Sequence, residues 1–182
     1  MKINTKTGLI ENAQYTASAN TDERPVDADI DLLVIHSISL PPGEYGGPWI
    51  EKLFTNALPA DEHLYLKEIH ELKVSSHVLI RRDGTVQQFV PFHQRAWHAG
   101  QSCYEGRETC NDFSIGIELE GTDDSAFENI QYQQLAELID ALTASYPNIN
   151  KNRLTGHSDI APGRKTDPGT GFDWDKLRQL LT

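Results

Sequence analysis

The apolar residues of this chain follow two patterns that predict buried secondary structure. The continuous run Leu32-Leu33-Val34-Ile35 predicts a strand buried on both faces. Between about Glu128 and Tyr146, apolar residues recur every three or four positions, which predicts an amphipathic helix that packs one face on a sheet. The positions that form this stripe are Leu135, Leu138, Ile139 and Leu142. Near the end of the chain, Asp173 is placed to cap a last helix. This helix is predicted to bury Trp174, Leu177 and Leu181.

Shorter patterns predict the remaining strands. Residues 74–80 and 85–90 flank the turn sequence Arg82-Asp83-Gly84, which predicts a hairpin. Residues 113–119 alternate apolar residues with small or polar ones, as expected of a central strand with one functional face. Residues 152–156 are predicted to add a short edge strand.

Strands and helices mixed in this order, with one hairpin, predict an α/β fold with a central mixed β-sheet flanked by α-helices. The length of 182 residues suits a single domain with a substantial core. We expect residues 1–28 to form an irregular N-terminal arm and residues 29–182 to form the domain.

The charge and composition exclude some classes of partner. A net charge of -11 argues against a nucleic-acid-binding protein, which would present a basic face. The N-terminus lacks the apolar segment of a secretory signal, and no stretch approaches the roughly 18–20 apolar residues of a membrane span. We therefore expect a cytoplasmic monomer that binds neither nucleic acid nor membrane.

The chain has two cysteines, Cys103 and Cys110, which lie seven positions apart. In a reducing compartment they are expected to be free thiols. A cysteine metal site is disfavoured because no second Cys/His pair stands at zinc-finger spacing. A disulfide between them stays open at this point.

Two candidate metal ligands, His157 and Asp167, stand ten positions apart in a segment rich in turn-forming residues. Proline and glycine interrupt this segment, which predicts a rigid, irregular loop able to aim both side chains at one point. These interruptions are Pro162, Gly163, Pro168 and Gly169. Zinc accepts imidazole nitrogen and carboxylate oxygen, and its catalytic sites commonly use three protein ligands. His36 is the candidate third ligand, because it stands at the carboxyl end of a buried strand, where open α/β sheets bind ligands.

Glu118 is a candidate acid or base, because it follows Ile115 and Ile117 on the predicted central strand. A carboxylate at such a position must be paired or have a raised pKa. Taken singly, Glu118 is equally compatible with an exposed or ion-paired glutamate, and His36 with a structural histidine. Together with the candidate ligands, they form a set of metal ligands plus a base.

Several separated motifs, in order, resemble those of the zinc-dependent N-acetylmuramoyl-L-alanine amidases. They are His36 after its strand, Trp97-His98-Ala99-Gly100, residues 111–118, Gly156-His157, and residues 165–169. This family shares its fold with the T7-type lysozyme and the peptidoglycan recognition proteins. The resemblance covers about residues 30–181, and within the family it is strongest to the cytoplasmic amidases of 1,6-anhydro-N-acetylmuramyl peptides.

The resemblance implies a cofactor, a reaction and a role for each matching residue. It makes Zn²⁺ the cofactor, with His36, His157 and Asp167 as its ligands. It makes Glu118 the general base and Lys165 the cation that stabilises the oxyanion. The implied reaction is hydrolysis of the lactyl–L-alanine amide bond of an anhydromuropeptide substrate.

Five residues are candidate substrate contacts. Trp97 is expected to stack on a sugar, unless it is an ordinary core residue, and His98 and Ala99 are expected to face the peptide. Arg107 is expected to meet a carboxylate of the stem peptide. His77 is expected either to line the cleft or to be a buried structural histidine.

Two other functions compete with this prediction. One is a muropeptide-binding module without catalysis, which would most simply lack a zinc ligand; here all three candidate ligands are present. The other is a lytic amidase acting on intact peptidoglycan, which would need export. Against it, the long segment of residues 39–72 is expected to narrow the cleft to a small muropeptide.

Overall fold

The structure, a computed structural model, describes residues 1–181. Within these residues the strands are, in chain order, β1 Ile3–Asn4, β2 Leu9–Ile10, β3 Gln14–Tyr15, β4 Thr21–Glu23, β5 Leu32–Ile38, β6 Val78–Ile80, β7 Val86–Gln88, β8 Gln94–Ala96, β9 Cys103–Tyr104, β10 Arg107–Glu108, β11 Ser114–Glu120 and β12 Leu154–Gly156. The α-helices are α1 Trp49–Phe54, α2 Leu64–Ile69, α3 Asn129–Ser145, α4 His157–Ile160 and α5 Trp174–Leu180.

Six of these strands form the central sheet, in the order β12-β5-β11-β6-β7-β3. Strands β12, β5, β11 and β6 are parallel, whereas β7 returns antiparallel to β6 as the predicted hairpin. The sheet is therefore mixed, and helices flank it. The predicted α/β fold class, the hairpin, the central strand and the edge strand β12 are confirmed.

Alternation along β5 and β11 separates an apolar face from a polar one. Leu33 and Ile35 of β5, and Ile115 and Ile117 of β11, belong to the core that packs under α3 and α5. The intervening residues point to the opposite face, because side chains alternate along a strand. His36 and Glu118 are register partners, so they lie side by side on this second face.

The two predicted helices are confirmed. The apolar stripe of α3 is buried, and the buried Gln131 ties this helix to the sheet by donating to the carbonyls of Ile80 and Glu120. The carboxylate of Asp173 caps α5 by accepting from the backbone N–H of Lys176 at 2.9 Å. Helix α2 was not predicted, because its six residues, of which only Leu66 is buried, are too few for a periodic apolar pattern to stand out.

The N-terminal arm has more regular structure than the sequence predicts. It forms four short strands, of which β3 extends the central sheet beside β7 and β4 pairs with β8. Each of the four is only two or three residues long. Strands this short show no alternation, which explains why the arm is predicted to be irregular.

The arm also inserts a cation among buried carbonyl groups, an arrangement that we call the Arg24 cluster. The Arg24 guanidinium donates to four backbone carbonyls at 2.9–3.2 Å, those of Phe92, Asn111, Asp112 and Ser114. Burial lowers the pKa of Arg24 to about 10, so the group is still charged at neutral pH. The arm is thus fastened to the loop that precedes β11 and to the first residue of that strand.

Two other features bear on the sequence predictions. None of the helices within residues 1–181 has the length and apolar character that crossing a membrane requires. Both cysteines are free; Cys103 is exposed and Cys110 is buried.

Candidate metal centre and its cleft

Three side chains converge at the carboxyl edge of the parallel strands. The Nδ1 atom of His36 lies 3.0 Å from Nδ1 of His157 and 2.9 Å from Oδ2 of Asp167. The same Oδ2 atom lies 3.1 Å from Nδ1 of His157. Two imidazole nitrogens and one carboxylate oxygen thus point at one place, which is the donor set that zinc accepts. The residues present therefore fit a metal ion of this kind.

Each of these side chains is delivered by a different segment. His36 lies in β5, and His157 directly follows the neighbouring strand β12. The sequence predicts an irregular loop after Gly156, but residues 157–160 form one helical turn, the helix α4. The carboxylate of Asp159 stabilises this turn by accepting from the Gly156 N–H at 2.8 Å. The chain then turns back, and Asp167 reaches the two rings.

The outer nitrogen of each ring is held by a second group. The Nε2 atom of His157 lies 3.0 Å from the carbonyl oxygen of Ala99 and donates to it, which leaves Nδ1 without a proton. The Nε2 atom of His36 lies 3.0 Å from Nδ1 of His98. Both Nδ1 atoms therefore have a fixed direction, toward Asp167.

The charges of the cluster favour a bound cation. Burial lowers the pKa of His36 to about 4, so that ring is neutral at physiological pH. Burial alone would raise the pKa of Asp167, but the close contacts of its carboxylate with the rings of His157 and His36 outweigh burial and hold that pKa well below the usual value. A neutral imidazole and an ionised carboxylate are the protonation states that metal binding requires.

Glu118 is a buried carboxyl group with an unsatisfied atom. Its side chain is 8% exposed, and Oε2 has no hydrogen-bond partner within residues 1–181. Burial raises its pKa well above the ordinary value, and the Asp167 charge adds to this rise while Lys165 opposes it. An unpaired buried carboxyl group is costly, so it indicates a group kept for chemistry.

Lys165 stands on the loop between His157 and Asp167, and its side chain is exposed. It lines the same cleft as Glu118 and the three candidate ligands. Within the described part of the chain, its ammonium group makes no hydrogen bond or ion pair. The cation is therefore available to a ligand that enters the cleft.

The cleft has a volume of about 460 Å³ and two unlike walls. The polar floor holds the candidate ligands, Glu118 and Lys165. The other wall is apolar and comes largely from the segment of residues 39–72, including residues of α1 and α2. Its apolar members are Leu40, Leu53, Phe54, Tyr65, Ile69 and Leu72.

Two of the five predicted substrate contacts lie in the cleft. Trp97 is half-buried and lines it, with its indole N–H donating to Asp22 of the arm at 3.1 Å. His98 also lines it, although its ring is directed at His36. The carboxamide oxygen of Asn111 holds this segment by accepting from the backbone N–H groups of His98 and Ala99, at 3.1 and 2.8 Å.

The other three, His77, Ala99 and Arg107, lie outside the lining of the cleft. His77 is the buried structural histidine of the two alternatives, and its Nδ1 accepts from the N–H of Gly116 at 3.0 Å. Ala99 is fully buried and uses its carbonyl on His157. Arg107 is on the surface, where it pairs with Asp31 at 2.6 Å and lies over the Phe113 ring.

Asp123 is a lining residue that the sequence patterns missed. Its carboxylate accepts from the hydroxyls of Ser37 at 2.7 Å and Thr166 at 2.5 Å, which are the neighbours of His36 and Asp167 in the chain. It thereby ties together the backbones that carry two candidate ligands. The available signal was its place just after β11, at the strand edge where His36 also stands.

Comparison with known proteins agrees with this geometry. The family model described as N-acetylmuramoyl-L-alanine amidase matches residues 26–170. The chain is 58% identical over 174 residues to the 1,6-anhydro-N-acetylmuramyl-L-alanine amidase AmpD of Salmonella typhimurium, a match that covers 96% of this chain and 92% of that protein.

Two solved structures show the same similarity. The crystal structure of a selenomethionine AmpD derivative superposes with a TM-score of 0.96 at 55% identity, and covers 100% of both chains. The amidase AmiD of Escherichia coli, in complex with the substrate anhydro-N-acetylmuramic acid-L-Ala-D-gamma-Glu-L-Lys, superposes with a TM-score of 0.59 at 33% identity. That match covers 87% of this chain and 60% of AmiD. On the family match and the sequence identity, the chain belongs to the N-acetylmuramoyl-L-alanine amidase family.

Proposed function

We propose that this protein hydrolyses the amide bond between the lactyl group of 1,6-anhydro-N-acetylmuramic acid and L-alanine in soluble anhydromuropeptides. The observation that carries the proposal is the convergence of His36, His157 and Asp167 beside a buried, unpaired Glu118. This set lies in the cleft of a chain that belongs to an amidase family. We further propose that the metal is zinc and that these three side chains hold it.

The proposed division of labour follows from the chemistry of each group. When bound, zinc would lower the pKa of a coordinated water toward neutrality and polarise a carbonyl group. Glu118 would accept the proton of the attacking water at Oε2 and return it to the departing amine of L-alanine. A carboxyl group whose pKa is raised by burial suits both transfers, because it is a stronger base than an exposed carboxylate and can return the proton that it has accepted.

Lys165 would bind the carbonyl oxygen as negative charge develops on it. Its ammonium group is unpaired within the described residues, so no partner has to be displaced before it turns toward the substrate. A cation placed where charge develops in the transition state is a large contribution to catalysis.

Two observations support a small anhydromuropeptide as the substrate. The Salmonella relative is named for the 1,6-anhydro-N-acetylmuramyl-L-alanine bond, and AmiD was solved with an anhydromuramyl peptide. In addition, the segment of residues 39–72 supplies an apolar wall of the cleft. We propose that this wall limits access to intact peptidoglycan strands. Cytoplasmic location and a monomeric state stay predictions from the sequence.

The test is to assay the zinc-loaded protein on purified anhydromuropeptide and on intact sacculi, together with the variants Glu118→Gln and Asp167→Ala. We expect release of free peptide from the muropeptide only. Glu118→Gln is expected to lower kcat by about 100- to 10,000-fold while the metal content, measured by elemental analysis, is retained. Asp167→Ala is expected to lose the metal.

Three results would contradict parts of this proposal. Full activity of Glu118→Gln would remove its role as the base. Equal rates on sacculi and on muropeptide would exclude the proposed narrowing of the cleft. Tight binding of muropeptide without turnover by the zinc-loaded protein would favour a binding module instead of an enzyme.

A further inference from the structure

A chain of hydrogen-bonding groups leads away from the metal centre through the ring of His98. Nε2 of His36 lies 3.0 Å from Nδ1 of His98, and Nε2 of His98 lies 3.1 Å from the hydroxyl oxygen of Ser114. That hydroxyl lies 2.6 Å from the backbone carbonyl oxygen of Cys110. The four groups therefore connect a candidate zinc ligand to a fixed point of the backbone.

The carbonyl at the end of the chain determines where every proton lies. A carbonyl oxygen can only accept, so the Ser114 hydroxyl donates its single proton to Cys110. The Ser114 oxygen then has only lone pairs to offer to His98, so Nε2 of His98 carries a proton. A neutral His98 consequently has a bare Nδ1, which accepts a proton from Nε2 of His36. The remaining nitrogen of His36, Nδ1, is left bare and points at His157 and Asp167.

Burial keeps His98 in the neutral state that this order requires. The ring is 8% exposed, and its two nitrogens face the His36 ring and the Ser114 hydroxyl, so a charge on it would be buried without an anionic partner. A charged His98 would instead donate from Nδ1 to Nε2 of His36 and would leave the proton of that ring on Nδ1.

Packing fixes the ring as firmly as hydrogen bonding does. The ring of His98 lies directly over Gly116 of β11, where an added Cβ would come within 2.4 Å of Cγ of that ring. Only a residue without a side chain leaves room for the ring at this place. His98 therefore has its position set from below by Gly116 and its orientation set by the groups at both ring nitrogens.

We propose that His98 and Ser114 are positioning residues that hold His36 in its Nε2–H tautomer and so keep Nδ1 free for the metal. This role replaces the substrate contact expected for His98 from the sequence. The proposal rests on the metal site proposed above, but on no property of the substrate. A single contact, with the carbonyl of Ala99, holds His157 in its Nε2–H tautomer, whereas the tautomer of His36 depends on the side chains of both His98 and Ser114.

The variants His98→Phe and His98→Asn separate this role from simple packing. Phenylalanine keeps a ring of similar size but has no acceptor. Asparagine places its carboxamide oxygen where Nδ1 of His98 stands, so it can accept from His36 although it loses the contact with Ser114. A third variant, Ser114→Ala, leaves His98 in place and removes the group that orients its protons, without touching His36.

The first measurement is zinc affinity, by competition with a chelator. Loss of an outer partner of a ligating histidine commonly costs about 10- to 100-fold in metal affinity. We expect a loss of this size for His98→Phe, a smaller loss for Ser114→Ala, and an affinity within about threefold of the unsubstituted chain for His98→Asn. The second measurement is the tautomer of His36 in the metal-free protein, by long-range proton–nitrogen NMR. We expect Nε2–H in the unsubstituted chain and in His98→Asn, and a mixture in the other two variants.

Specific outcomes would overturn the proposal. A metal-free protein with His36 in the Nδ1–H form would do so, as would His98→Phe and His98→Asn variants of equal zinc affinity. A rise in KM of both His98 variants, with unchanged zinc affinity, would return His98 to the substrate-binding residues. Neither affinity nor tautomer needs substrate, so an unsubstituted chain that binds zinc but cleaves no muropeptide would defeat the proposed function and leave this inference standing.

Discussion

Two polar clusters of this fold solve one electrostatic problem in different ways. In the metal centre, two ring nitrogens and a carboxylate turn their lone pairs toward a common point. In the Arg24 cluster, four backbone carbonyls turn their lone pairs toward a guanidinium. Ser114 belongs to both: its carbonyl accepts from Arg24, and its hydroxyl accepts from His98.

The two clusters differ in the source of the positive charge. The chain itself provides Arg24, which has a pKa of about 10 and is a permanent part of the fold. The candidate metal centre, in our proposal, instead takes its cation from solution, and such a cation can act as a Lewis acid, as a guanidinium cannot. A built-in cation serves stability, whereas an exchangeable cation serves chemistry. We therefore expect the largest change in stability from removing Arg24, a smaller one from supplying zinc, and the smallest from acid.

Removing the guanidinium of Arg24 should lower the free energy of unfolding without changing the metal affinity. Arg24→Met would leave four acceptors unpaired, three of them in buried residues, and each unsatisfied buried acceptor costs about 1–3 kcal/mol before water recovers part of it. We expect the free energy of unfolding of the chelator-treated protein to fall by more than about 3 kcal/mol in urea titrations. The metal affinity of the folded variant should be unchanged.

The matched control is Arg107→Met, which removes an arginine from the exposed pair with Asp31. Such surface pairs contribute about 0–1 kcal/mol, so this variant should unfold at nearly the urea concentration of the parent chain. An equal decrease in the free energy of unfolding of Arg24→Met and Arg107→Met would mean that the carbonyl contacts of Arg24 do not stabilise the fold.

Supplying the exchangeable cation should raise stability only while all three ligands are present. At a free zinc concentration 100 times its Kd, binding to the folded state alone adds about 2.7 kcal/mol to the free energy of unfolding. Asp167→Ala should lose this increment, and Asp175→Asn, on the exposed surface of α5, should keep it. Arg24→Met should also keep the zinc-dependent increase in the free energy of unfolding. Loss of that increase in Arg24→Met would show that the two clusters are coupled through Ser114.

Acid should act on the metal centre and leave the Arg24 cluster unchanged. Burial lowers the pKa of His36 from 6.5 to about 4, so below pH 6.5 the unfolded chain takes up a proton that the folded, metal-free protein does not. The free energy of unfolding should therefore fall with pH in that window, by up to about 1.4 kcal/mol per pH unit from this residue, and stay level above it. Arg24 remains charged throughout.

The measurement is urea unfolding of the metal-free protein and of His36→Gln between pH 7.5 and 5, chosen to span the upper part of this window. The free energy of unfolding of His36→Gln should fall less steeply with pH than that of the unsubstituted chain. It should still fall, because His77 and His98 also contribute to the pH dependence. Identical slopes would indicate that His36 is already protonated in the folded protein.

The sequence predicts those parts that carry a periodic or clustered signal. The apolar run before His36, the stripe of α3 and the cap Asp173 all lie where they were predicted. The candidate ligands were also foreseeable, since a histidine at a strand end and a turn-rich loop with His157 and Asp167 are unusual for a fold without a site. The structure brings these three together and places Glu118 beside them.

The sequence patterns do not predict where individual side chains point or which backbone groups they contact. His98 stands in a motif that resembles a substrate-binding one, but no pattern shows that its ring faces His36 instead of the ligand. Arg24 looks like a surface residue of a polar arm, because the four carbonyls it binds come from two distant segments, at residue 92 and at residues 111–114. Helix α2 and the strands of the arm are too short, or too exposed, for their periodicity to be detected.

The wide separation of the metal ligands along the chain has a consequence for protein synthesis. His36 precedes His157 by 121 positions and Asp167 by 131. Because domains emerge from the ribosome N-terminus first, β5 exposes its histidine long before either partner is made. A prematurely terminated chain that ends before residue 157 would carry one of the three ligands and hold the ion no better than any lone histidine. If the proposed site holds its metal tightly, bound metal marks translation carried at least through residue 167 and distinguishes such chains from shorter fragments.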